Sequence, residues 1–206
     1  MTLQTGAGIM GGPRRWDILA SFMLDQGYKT FVEVGCKEGR TTGHILTNVP
    51  DSRVIAIDPW MAQEATNDPT KETYEGWDFS RIEAEFWANV GEHKDRCCML
   101  RTTSLVAATN TIEVGDDAFF ESRGDGAMHA DLIFIDALHD YEHVKQDIAL
   151  WWPKVRIGGI LAGHDFNHKW PGCERAVAES FDLMQVGVAP DSVWFVMKVS
   201  EDQFRG

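Results

Sequence analysis

The run Asp131–Asp136, reading DLIFID, constrains this chain more than any other feature. Leu132, Ile133, Phe134 and Ile135 leave an extended segment no polar face, so a strand here must be covered on both sides. Shorter apolar runs repeat the theme at Tyr28–Val34, Arg53–Ile57, Cys97–Leu100, Ile160–Ala162, Met184–Val188 and Val193–Val199. Helical spacing fills the intervals. Residues 14–28 carry Trp16, Ile18, Leu19, Phe22 and Met23; further helices are expected at Thr41–Leu46, Phe79–Val90, Leu105–Val114, Tyr141–Trp152 (stopped by Pro153) and Cys173–Phe181. Alternation of buried strands and helices predicts a doubly wound α/β fold, a seven-stranded, mostly parallel sheet. The short link between the last two strands predicts an antiparallel hairpin at the C-terminal edge, and Gly158-Gly159 reads as a turn. Ligands of such a sheet bind at the C-terminal ends of its strands.

The chain of 206 residues suits one domain. Residues 1–13, rich in glycine, read as a flexible N-terminal arm, and 14–206 as the domain. The net charge of -13 disfavours a nucleic-acid or anionic-membrane partner. No run reaches the roughly 20 apolar residues of a membrane span, and the N-terminus does not read as a signal peptide. Cys36, Cys97, Cys98 and Cys173 show no metal-ligand spacing and read as reduced thiols of a cytoplasmic protein.

Chemistry concentrates where the strands end. The first strand runs into FVEVGCKEGRTTGHIL, placing Glu33, Gly35, Lys37 and Gly39 at a strand-to-helix turn. Glycine there admits positive φ and close approach of a ligand. Glu33 repels phosphate and suits an ammonium group, and the GK[ST] ending of a phosphate loop is missing. The second strand ends VIAIDPW; Asp58 lies about 20 residues beyond the glycine turn, where an acid commonly binds ribose hydroxyls. Asp58 as a simple cap of the next segment is the alternative. The long stretch 60–78 is expected to be a loop, with the character of a lid. The glycines of GAGIMG (residues 6–11) match the dinucleotide fingerprint, but only MTLQT precedes them and Gly12-Pro13 follows, so no strand–turn–helix can form around them.

These blocks resemble the class I S-adenosylmethionine-dependent methyltransferases through the ExGxxxG turn (Glu33, Gly35, Gly39) and the acidic Asp58. The later block DLIFIDALHDYEHVKQDIALWWPKVRIGGILAGHDF resembles a small-molecule subgroup of the macrocin and sugar O-methyltransferase type, through Asp136, His139, Tyr141, Val144, Asp147, Pro153, Gly158, Gly159, Gly163, His164 and Asp165. The resemblance covers residues 31 to about 199 and implies a Rossmann-like fold that binds S-adenosylmethionine. It implies Glu33 near the cofactor's methionine end over Gly35 and Gly39, Asp58 on the ribose, Thr103 and Ser104 near the adenine, and Asp136 beside the methyl donor. Trp60 either flanks the nucleoside or fills the core.

A hydroxyl acceptor must lose its proton. Asp136, His139, His164, Asp165, Asn167 and His168 all fall at two strand ends, and His139 is the leading base, with capping of the next helix as its alternative. Asp136, Asp165 and Asn167 are also a candidate magnesium set. Related catechol-type enzymes use acids in this way, but this chain has His164 before Asp165 and Phe166 after it, where an Asp-Asn pair is expected. The expected activity is methyl transfer to a hydroxyl of a small molecule, a sugar or secondary metabolite. N-methylation and nonenzymatic binding of S-adenosylmethionine are the alternatives. Acceptor choice is expected to lie in residues 60–80 and 166–172. Trp151 and Trp152 read as packing residues, and Trp194 as core or a homodimer contact.

Overall fold

The structure, a computed structural model, describes residues 12–62, 74, 76–110 and 129–206. Residues 1–11, with the GAGIMG glycines, most of the expected 60–78 loop, and the connection 111–128 lie outside the described residues. The helices are α1 (Arg15–Gln26), α2 (Arg40–Asn48), α3 (Phe79–Val90), α4 (Ser104–Thr109), α5 (Tyr141–Trp151) and α6 (Pro171–Ser180). The strands are β1 (Thr30–Val34), β2 (Arg53–Ile57), β3 (Cys97–Leu100), β4 (Ala130–Ile135), β5 (Val155–Gly163), β6 (Gly187–Ala189) and β7 (Val193–Met197).

They form one seven-stranded sheet in the order β3-β2-β1-β4-β5-β7-β6. β1 through β5 pair in parallel, while β7 runs antiparallel to both β5 and β6. The fold class is therefore the expected one. β1 and β4 adjoin at the point where strand order reverses, the place where a doubly wound sheet opens a crevice.

Side chains alternate across the sheet with period two. Val32, Val34, Ile55, Ile57, Ile133 and Ile135 join one buried layer with α4, α5 and α6. Phe31, Val54, Ala56, Leu132 and Phe134 join the opposite layer with α1, α2 and α3. Burying both faces is what the unbroken apolar runs require. No described helix is long and apolar enough to cross a membrane.

Three local expectations change. Gly158-Gly159 is not a turn but a bulge inside β5, where Gly158 takes φ +81° and the register against β4 shifts between Ala130 and Leu132. A Cβ on Gly159 would lie 2.7 Å from the Asp131 carbonyl oxygen, so the strands meet too closely for any side chain there. The expected strand at Met184–Val188 begins only at Gly187, because Leu183–Gln185 form a 3-10 turn in which the Asp182 side chain accepts from the Met184 N–H. α1 stops at Gly27 in the left-handed conformation, so β1 starts at Thr30 rather than Tyr28.

Trp151 and Trp152 are buried, as expected of packing residues. Trp194, 1% exposed, is core and not a subunit contact. Its indole covers Gly163 so closely that a Cβ there would sit 2.5 Å from Cε2. Gly163→Ala is expected to overpack this contact and lower stability by ~1–3 kcal/mol, read from urea unfolding at constant m-value.

Candidate active site

The carboxyl ends of β1, β2, β4 and β5 surround a cavity of about 320 Å³. Glu33, Gly35, Lys37, Asp58, Trp60, Ser104, Asp136, His139, His164 and Asp165 all line it. Distant parts of the sequence are thus brought to one place.

At the β1 end, Gly35 takes φ +86° and packs on the Asp136–Ala137 backbone; a Cβ would lie 2.6 Å from the Ala137 Cα. Gly39, at φ +71°, caps α2, and a Cβ on it would strike the Phe86 ring. Asp58 laces the turn to the β2 end: one carboxylate oxygen accepts from the Lys37 N–H (2.9 Å), the other from the Trp60 N–H (2.8 Å). The Trp60 indole closes the loop by donating to the Lys37 carbonyl at 3.0 Å. Trp60 therefore both belongs to the core and lines the cavity. Burial raises the Asp58 carboxyl above its ordinary value against these backbone hydrogen bonds. Met61, Tyr74 and Trp77, described parts of the expected 60–78 loop, also line the cavity, and Lys37 Nζ lies 4.1 Å over the Trp77 ring.

Glu33 is 2% exposed and accepts from the Thr42 hydroxyl. Burial pushes its carboxyl up to about 8, so it holds its proton at neutral pH.

The β4 and β5 ends carry the histidines. His139 Nδ1 lies 3.1 Å from Asp165 Oδ2, and the ring packs on Trp170 with centroids 4.6 Å apart. Capping of α5 falls instead to Asp140, which accepts from the His143 N–H, so His139 is free of that duty. His164 Nδ1 stands 3.2 Å from Asp165 Oδ1 and 3.6 Å from Asp136 Oδ1. Asp165 is a non-glycine residue at φ +61°, a strained backbone at the heart of the cavity. Burial works to raise its carboxyl, but the His164 hydrogen bond and the neighbouring charges outweigh it and hold the value below normal. For His164 burial lowers the value, and the Asp165 and Asp136 carboxylates more than reverse it. Burial dominates at Asp136 and raises it, opposed by Arg15 and the two imidazoles.

Two expectations fail. Asn167 is turned away: its Nδ2 donates to Ser192 Oγ at 2.9 Å and its Oδ1 accepts from the Lys169 N–H at 2.9 Å. His139 takes its place, so that Asp136, His139 and Asp165 form the group whose ligand atoms lie within 4.8 Å of one another. Thr103 does not line the cavity; its hydroxyl caps α4 by accepting from the Val106 N–H.

Two residues were missed. Arg15, at the start of α1, reaches in with Nε 3.1 Å from Asp136 Oδ2. Nothing in the spacing around Arg14-Arg15 marks it. Asp147 is buried behind Ser104, accepts its hydroxyl, and is pushed up to about 7 by burial; Ser104 in turn accepts from Trp151 Nε1 at 2.9 Å. A buried acid on an amphipathic helix was a visible signal, because Asp147 falls on the apolar face with Val144, Ile148 and Trp151.

A family model described as a methyltransferase domain matches residues 32–166, the stretch that builds β1 through the end of β5. The chain belongs to this methyltransferase domain family. The resemblance to class I S-adenosylmethionine-dependent methyltransferases is thereby borne out, in family and in fold. Among solved structures, the methyltransferase is similar to an O-methyltransferase from Bacillus cereus in complex with SAH (16% identity, TM-score 0.56, covering 89% of this chain and 80% of that one). It is also similar to TomG, an O-methyltransferase of tomaymycin synthesis from Streptomyces achromogenes in complex with SAM (10% identity, TM-score 0.56, 89% and 79%). A third is CalS11, a TDP-rhamnose 3'-O-methyltransferase of calicheamicin biosynthesis (18% identity, TM-score 0.56, 88% and 76%). At these identities the likeness is one of fold. No match was found among curated proteins.

The protonated Glu33 has a measurable consequence for the methyltransferase's stability. Its folded value, about 8, lies above the ordinary 4.5, so the folded chain holds the proton more tightly. The resulting stability is full below pH 4.5 and is lost as pH rises toward 8. Between pH 5.5 and 7.5, wild type should lose on the order of 1–3 kcal/mol relative to Glu33→Gln, measured by urea unfolding.

Proposed function

We propose that this methyltransferase moves the methyl group of S-adenosylmethionine to a hydroxyl of a small molecule, with residues 14–206 as one catalytic domain. The observation that carries the reading is the His139–Asp165 pair, Nδ1 to Oδ2 at 3.1 Å, in the same cavity as the Glu33, Gly35 and Asp58 turn.

The cavity's chemistry fits the donor. Glu33 suits the methionine ammonium, whose charge would favour the carboxylate and release its proton to solvent; Gly35 and Gly39 keep the floor free of side chains. Asp58 spends one lone pair of each oxygen on backbone amides and keeps others for ribose hydroxyls. Lys37 and Trp60 hold that carboxylate in place. Ser104, fixed by Asp147 and Trp151, suits the adenine end, with Thr103 supporting the turn.

When bound, S-adenosylmethionine supplies an electrophilic methyl carbon on a sulfonium. Asp165 occupies His139 Nδ1, which fixes the tautomer and leaves Nε2 as the base for the acceptor hydroxyl. As the methyl group passed from sulfur to the acceptor oxygen, Nε2 would take the hydroxyl proton. Asp165 stabilises the resulting imidazolium, and Asp136 with His164 completes the charge around it. A domain that only bound the cofactor has no use for this oriented base. A primary amine acceptor needs deprotonation too, so the choice of oxygen also draws on the solved neighbours, one of which is a TDP-rhamnose 3'-O-methyltransferase.

Magnesium fits these residues poorly. It prefers oxygen ligands and near-octahedral geometry, whereas the third member of the group is an imidazole and the Asn167 oxygen is spent on Lys169. The two imidazoles already stand against both carboxylates. No step is routed through a metal.

Labelled methyl transfer against a panel of hydroxylated sugars and phenols tests the reading. His139→Gln should lower kcat by about 10²–10⁴-fold while S-adenosylhomocysteine affinity stays within a few fold. Asp58→Ala should weaken that affinity by ten-fold or more in isothermal titration, on the order of two charge-assisted hydrogen bonds. Chelator should leave the rate unchanged. Tight cofactor binding with no transfer to any hydroxyl or amine would instead favour a binding domain.

A further inference from the structure

Arg15 is built into the cavity without being used by the chemistry above. Its backbone N–H donates to Asp191 Oδ2 at 2.9 Å, and Arg14 adds an ion pair to the same carboxylate at 3.8 Å. Asp191 and Ser192 are the two central residues of the β6–β7 turn, both at positive φ. The start of α1 is thus pinned to the hairpin tip, with the Arg15 side chain lining the cavity.

Among the described residues the guanidinium's ion-pair partner is Asp136, and the pairing is loose. Nε lies 3.1 Å from Oδ2 but is not aligned to donate, so Nε is buried without a hydrogen bond. An arginine meant to hold a carboxylate uses its fork, two parallel N–H···O bonds. Here no hydrogen bond of the fork is found among the described residues, and the side chain keeps 29% of its surface open. A buried Nε with one misaligned acceptor is costly unless a ligand completes it, while the Nη groups stay within reach of an incoming anion. Three buried side-chain nitrogens lack a partner among the described residues, and two of them, Arg15 Nε and His164 Nε2, belong to residues flanking Asp136. In a chain of net charge -13, a cation turned inward selects against the field of the surface.

We infer that Arg15 is the anion-binding residue of this cavity, receiving a carboxylate or phosphate, in the first place one carried by the methyl acceptor. The acceptor class is then a hydroxylated acid or a phosphorylated alcohol, anchored at Arg15 with its hydroxyl toward His139. The inference rests on the cavity being the methyl-transfer site. The donor's own methionine carboxylate offers the same chemistry from a second source.

Anion binding can be measured without knowing the acceptor. The chain loaded with S-adenosylhomocysteine is titrated with inorganic phosphate, benzoate and, as a neutral comparator, benzyl alcohol, following tryptophan fluorescence. Saturable binding of phosphate or benzoate, absent for benzyl alcohol and weakened about ten-fold or more in Arg15→Gln, is the expected result, the loss of one charge-assisted hydrogen bond or more. Arg15→Lys, which keeps the charge and guards against a folding artefact, should retain phosphate binding within a few fold. In parallel, S-adenosylhomocysteine and 5'-methylthioadenosine, which lacks the amino-acid moiety, are titrated into wild type and Arg15→Gln. A ten-fold loss for the former alone assigns the anion to the donor and still supports the site. Equal anion binding by wild type and Arg15→Gln, or none by wild type, together with unchanged donor affinity, overturns the inference. Failure of both nucleosides to bind wild type overturns the methyltransferase-site reading instead.

Discussion

The site depends on how closely β1 and β4 approach beyond their last paired residues. Gly35 N donates to the Ile57 carbonyl and Asp136 N to the Val34 carbonyl, each at 2.8 Å, so the strand ends stay laced after the ladder itself has finished. Gly35 then lies against the Asp136–Ala137 backbone with no room for a Cβ. That contact fixes the separation of Glu33 from Asp136, and through the turn it fixes Lys37, whose N–H orients Asp58. A bulkier residue at position 35 would spread the sheet where every cavity-lining strand converges.

Besides Glu38, four carboxyl groups line one small cavity, and each is made tolerable differently. Glu33 keeps its proton and rests on Thr42. Asp58 is held by backbone N–H groups. Asp136 stands between Arg15 and His164. Asp165 is shared by two imidazoles and is the member of the cluster whose carboxyl falls below its ordinary value. Such separation of neighbouring titratable groups is what lets one site hold a neutral acid, a charged anchor and a base.

Much of this was legible in the sequence. β2, β3 and α3 fall where the apolar runs and helical spacing end, because a strand buried on both faces and a helix stopped by Gly91 leave little freedom at their boundaries. Glu33, Asp58, His139 and Asp165 were found because strand ends expose side chains to the crevice. Other features depend on partners far along the chain. Gly158-Gly159 resembles a turn locally and becomes a bulge only against Asp131. Asn167 sits at the right offset for a ligand, yet Ser192 takes its amide. Arg15 carries no motif at all and enters the cavity because Asp191 holds its backbone.

That last tether spans 176 positions of sequence. During synthesis the central strands and their acids leave the ribosome well before residue 191, so the sheet can assemble while Arg15 still lacks its anchor. The β6–β7 hairpin also steadies Asn167 and accepts the Phe166 N–H through Ser192. A chain without that hairpin would keep Glu33, Gly35 and Asp58 at their strand ends but lose the contact that sets Arg15 at the cavity.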